Sequence, residues 1–127
     1  MNTSHIKKYA PQARNDFIAA MRKQAAKYGI TADSILPAEQ KGDLLLIGDQ
    51  VFSLSVMKPR EKLIKRLQAS SFEQTIDYIA YSWFNRLCAI RYMECKGLLD
   101  HGRRVLSSAD GSAGLPQILE ECLDINL

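Results

Sequence analysis

The sequence predicts a mainly α-helical domain built round a long central helix, with one small β-hairpin. Three observations predict it. Apolar residues recur at three-to-four spacing in three separate stretches, the stripe of a helix with one buried face. Between the first two stretches the period falls to two, with Phe52, Leu54 and Val56 alternating with Ser53 and Ser55. The length of 127 residues suits one domain, 1–127, able to bury a core without staples.

The elements follow in order. A first helix is expected from Thr3 or Ser4, both good N-caps, with Pro11 either opening a new helix or kinking a continuous one. Ala13, Phe17, Ala20, Met21 and Ala25 line its apolar face, and Gly29 ends it as a C′ residue. "TADSIL" is expected to add a turn of helix before Pro37. Leu44–Ile47 and Val51–Val56 then form the hairpin about Gly48-Asp49, glycine meeting a tight reversal without steric cost. Two strands are marginal alone, so the hairpin must pack on the helices.

A helix from Pro59 to about Ala69 turns Leu63, Ile64 and Leu67 inward. Ser70-x-x-Glu73 and Ser71-x-x-Gln74 are overlapping capping boxes that start the central helix, which runs to Lys96 and stops at Gly97. Residues 98–114 read as loop, and "PQILEECLDINL" as a last acidic helix with Pro116 in its first turn.

Charge is uneven along this chain. The net charge is +3, yet residues 1–29 carry a local +5 and residues 58–66 a local +4, while 30–57 and 98–127 are each −3. Basic blocks of this kind form a polyanion-facing surface if the fold unites them, or simply solvate helix faces. Cys88, Cys95 and Cys122 show no CxxC pair and no paired histidines, which excludes a disulfide framework and a zinc site and suggests small buried thiols in a reducing compartment. No apolar run approaches the roughly 20 residues of a membrane span, and no secretory signal opens the chain. A cytoplasmic protein with no membrane partner is expected.

On a wheel of the central helix, Ile76, Ile79, Ala80, Trp83, Leu87 and Ile90 form the core stripe. Tyr78, Tyr81, Ser82, Asn85, Ala89 and Tyr92 lie opposite, as a second packing face or as a surface that stacks on nucleobases. Arg91 has Glu94 three positions on as a local partner. Arg86 has none within its helix and must reach another segment or a ligand anion.

No catalytic constellation is present. His5 and His101 lack metal-ligand spacing, and "DGSAG" at 110–114 follows no strand and lacks the Gly-Lys-Ser/Thr ending of a phosphate loop, so it reads as a flexible connection.

Four stretches carry a resemblance. "IKKYAPQARNDF" at 6–17, "PREKLIKR" at 59–66, "WFNRLCAIRYME" at 83–94 and "GLLDHGRRVLS" at 97–107 resemble, in order, the N-terminal region of the BREX phage-defence adenine-specific DNA methyltransferases, the PglX family. That resemblance implies a parent enzyme that uses S-adenosylmethionine to methylate the N6 amine of adenine in duplex DNA, extruding the base to do so. The glycine loop for the cofactor and the Asn-Pro-Pro-Tyr-like motif for the adenine are both missing here, so no catalytic or cofactor residue is carried over. The chain is then expected to be a fragment or a short homologue, non-catalytic, with no cofactor of its own.

In that setting the basic helices would grip DNA phosphates through Lys7, Lys8, Arg14, Lys58, Arg60, Lys62, Lys65 and Arg66. The alternative is a helical module that docks another defence-system protein, with Tyr78, Asn85, Arg86 and Tyr92 as the contact residues.

Overall fold

A computed structural model describes residues 3–124. They fall into two compact units divided after Tyr81, within the long helix. The fold is mainly helical, with a small antiparallel sheet, as the sequence predicts.

In the first unit, α1 spans Ser4–Lys27 and continues through Pro11, which offers no N–H to the carbonyl of Lys7. The chain leaves α1 by a complete Schellman turn: the N–H of Gly29 reaches the carbonyl of Ala26, and that of Ile30 the carbonyl of Ala25. Gly29 sits at φ +72°, the left-handed conformation that this turn requires. "TADSIL" is no helical turn. Ile30 and Ile35 pair across a tight loop in which Thr31 N–H donates to the Ser34 carbonyl at 2.9 Å, because burying Ile30 holds the chain extended there.

The sheet has a third strand beyond the expected hairpin. β1 (Ala38–Lys41), β2 (Leu44–Ile47) and β3 (Gln50–Ser53) are antiparallel in the order β1-β2-β3. Each loop is a Gly-Asp pair, Gly42-Asp43 and Gly48-Asp49, with the glycine at positive φ. Leu45 and Ile47 face the interior, and the Phe52 ring meets Tyr28 at 5.1 Å, fastening the sheet to the end of α1. The last strand stops at Ser53, and Leu54–Val56 form a 3₁₀ turn capped by the Ser53 hydroxyl.

Next, α2 spans Met57–Ala69 and leaves Pro59 in the first turn, where an N–H has no intrahelical partner anyway. The serine pair divides the next junction. Ser70 Oγ donates to the Arg66 carbonyl and closes α2, while Ser71 Oγ accepts from Gln74 N–H and opens α3 (Phe72–Cys95). Ala25, Ile30, Leu67 and Ile76 form the core of this unit, ringed by Ile18, Met21, Leu63, Ile64 and Phe72. Arg14 pairs with Asp77 at 2.9 Å and Arg22 with Glu73, so α1 and this part of α3 run antiparallel.

The second unit holds the rest of α3, a long irregular segment, α4 (Gln117–Glu120) and a 3₁₀ turn at Cys122–Asp124. The expected acidic helix is thus a single turn plus a 3₁₀ turn; its residues 125–127 lie outside the described residues. Gly97 ends α3 by a second Schellman turn, with Leu98 N–H on the Met93 carbonyl at 2.9 Å.

Two expectations fail in this unit. Trp83 is 46% exposed, and its ring carries the Arg86 guanidinium at 5.7 Å instead of entering a core. Cys88, Cys95 and Cys122 are exposed, not buried, because Cys88 and Cys95 lie on the side of α3 away from its apolar stripe and Cys122 lies in a surface turn.

Candidate nucleic-acid interface

The basic candidates separate once their partners are known. Lys58, Lys62 and Lys65 are exposed on α2, at i, i+4 and i+7, opposite Leu63 and Leu67. They fall within an arc of roughly 60° and span about 10.5 Å along the axis. Lys7 and Lys8 are exposed on α1. Arg14 is exposed but held by Asp77, and Arg66 lies over the Tyr78 ring at 4.6 Å. A guanidinium so placed keeps donors toward solvent while its plane is covered.

Arg60 must be withdrawn from the phosphate set. It is 7% exposed, and its Nε donates to the Tyr28 carbonyl at 2.9 Å while Nη2 donates to the Leu36 carbonyl. The charge sits at the C-terminal end of α1, where unpaired carbonyls and the helix dipole favour a cation. Burial pushes its pKa down from the ordinary arginine value. Five bases share residues 58–66, but the turn of α2 that carries Leu67 inward carries Arg60 inward as well.

The four partner-contact candidates are all exposed on α3, with Arg66 resting on Tyr78 and Arg86 on Trp83. Arg91 meets Glu94 at 2.6 Å, the local pair that their spacing predicts.

Sequence reading missed the role of Glu94. Its buried carboxylate accepts from the N–H groups of Val105 and Leu106, both at 2.8 Å, from Ser107 Oγ at 3.0 Å and from Arg91. Burial opposes ionisation, but the Leu106 N–H, the Arg91 guanidinium, the Ser107 hydroxyl and the Val105 N–H outweigh it and hold the pKa at about 2. Only the Arg91 pair is local; the three donors that bury Glu94 lie eleven to thirteen residues on, beyond what helical spacing shows.

"DGSAG" is a built turn, not a free linker. Asp110 Oδ1 accepts from Ser112 Oγ, Ser112 N–H and Ser108 Oγ, which together bring its pKa to about 2. Nearby, Arg103 pairs with Glu121 at 2.7 Å and Gln117 Oε1 accepts from Arg104 N–H. The Gln117 amide and Arg103 lower the Glu121 pKa.

Among the described residues, each glycine between strands turns a hairpin, and β3 passes into α2 without a glycine. In doubly wound folds a nucleotide-type cofactor sits where a strand enters a helix through a close glycine loop. The described residues hold no such loop, and no step of methyl transfer is derived from them. No helix is long and apolar enough to cross a membrane among the described residues.

No protein-family model matches the chain. It is 50% identical over 112 residues to the adenine-specific methyltransferase BrxX of Escherichia coli O9:H4 (strain HS), a match that covers 84% of this chain and 9% of that protein. It is 31% identical to the adenine-specific methyltransferase PglX of Lacticaseibacillus casei (strain Zhang), over 98% of this chain and 11% of that protein. The chain therefore spans about a tenth of the length of these relatives. Matched over almost all its own length, it is a relative of the adenine-specific methyltransferases of BREX phage defence.

Proposed function

We propose that this chain is the non-catalytic N-terminal domain of an S-adenosylmethionine-dependent adenine-N6 DNA methyltransferase of phage defence, and that it steadies duplex DNA for that enzyme. The observation that carries this reading is the row of Lys58, Lys62 and Lys65, three exposed ammonium groups on one face of α2. Phosphates recur every 3.4 Å or so of rise along a DNA strand, so a row of about 10.5 Å spans about three of them. Contacts of this kind fix register and orientation and carry no sequence information. Base extrusion and methyl transfer then belong to the rest of the longer protein, which would also bind the cofactor.

The test is the salt dependence of DNA affinity in a methyltransferase of the relatives' length that carries this domain. Replacing Lys58, Lys62 and Lys65 with Gln is expected to weaken binding alike on all sequences and to flatten the log–log salt slope by about 3. An unchanged slope sinks the DNA reading. A second reading, docking to another protein, is favoured by the exposed tyrosines of α3.

A further inference from the structure

One row on α3 is uncharged and exposed, though Arg86, Arg91 and Lys96 flank it. Asn85, Cys88, Tyr92 and Cys95 follow one another at spacings of three and four, and all are open to solvent, Tyr92 at 61%. These four residues of the second unit keep the a/d spacing of a coiled-coil seam. They share an arc of about 80° and extend about 15 Å, close to three turns. Tyr92 is the one large side chain among them, so Asn85, Cys88 and Cys95 leave room that the side chains of a second helix can fill.

We propose that this seam is where a helix from the remaining polypeptide of a BREX-type methyltransferase packs against the domain. The occupant is an amphipathic helix with an apolar stripe at three-and-four spacing. Its source follows from the relatives: they match nearly all of this chain yet are about ten times longer, so the domain occurs there beside a much larger body. Two exposed thiols and a tyrosine in an uncharged row are what a domain presents to a permanent neighbour. The proposal rests on kinship to the methyltransferases and not on the DNA reading.

Cys88 and Cys95 serve as reporters. N-ethylmaleimide labelling, read by mass spectrometry, is compared between this chain alone and a chimera in which it replaces the matching stretch of the Escherichia coli relative. Both thiols are expected to react about tenfold or more slowly in the chimera. Tyr92→Glu, which puts a charge in the seam, is expected to restore fast labelling there and leave the melting temperature of the chain alone unchanged.

Equal labelling rates overturn the proposal. So does slow labelling of the chain alone that quickens on dilution, which assigns the seam to a second copy. A chimera that never becomes soluble overturns it too, since the seam would not fit the body it is said to meet. The salt slope of the lysine variant is measured separately, so either reading can fail alone.

Discussion

Arg60 is buried, and its donors are met by the carbonyls of Tyr28 and Leu36. Arg60→Met keeps much of the packing of the stem but removes both bonds, with an expected loss of about 2–3 kcal/mol in a denaturant melt. The same variant should leave the salt slope of DNA binding where it was, because this charge does not reach the surface. Glu94 is the comparable residue in the second unit. Its pKa lies at about 2 in the folded chain against an ordinary 4.5, so its stabilisation is complete above about pH 4.5 and fades as pH falls toward 2. The N–H resonances of Val105 and Leu106 should hold steady from neutral pH to about 3 and then move, with a midpoint near 2, as the folded carboxylate takes up its proton. Glu94→Gln is expected to cost about 2 kcal/mol at neutral pH, with the difference from the unaltered chain closing in that acid window. A difference that persists at pH 2 would show that packing, not charge, makes Glu94 matter.

The helix ends differ in what surrounds them. Gly29 and Gly97 both take positive φ in Schellman turns, and their place is readable from the residues before them. At Gly29 a methyl group would come 2.6 Å from Ile47 Cγ2 and 3.0 Å from Leu36 Cβ, whereas nothing lies within 4 Å at Gly97. Gly29→Ala is therefore expected to cost about 2–4 kcal/mol, strain and crowding together, and Gly97→Ala about 1–2 kcal/mol from the backbone alone. Thermal melts of the two variants check the ranking; equal losses would contradict the close packing of the sheet on the end of α1. The third strand illustrates a different gap. "KGDL" at 41–44 and "IGDQ" at 47–50 carry the same Gly-Asp signal six residues apart, but "AEQK" before the first shows no apolar alternation to mark a strand. All four residues of β1 are exposed, so pairing with β2 holds the strand and burial contributes little.

Across the whole molecule, local signals carried most of the architecture: the helix stripes, the period-two strand, the glycine stops and the serine junction all work through neighbours in sequence. The kinship was legible for the same reason, since 6–17, 59–66, 83–94 and 97–107 are contiguous stretches. The candidate site was legible only as a set of basic residues. The lysine row at 58, 62 and 65 follows from helical spacing, but which base of "KPREKLIKR" turns inward depends on carbonyls 24 and 32 residues away. Trp83 misled because a wheel gives direction and not the presence of a neighbour in that direction, and the cysteines because residue type alone does not place a thiol in a core. By itself the sequence determined a helical class, the order of the three long helices with a small sheet between the first two, and the methyltransferase relationship. Tertiary structure alone decided that Arg60 caps a helix, that Glu94 anchors a loop and that Cys88, Tyr92 and Cys95 stay open. Burial and long-range hydrogen bonds depend on what the fold brings alongside, and spacing along the chain does not encode that.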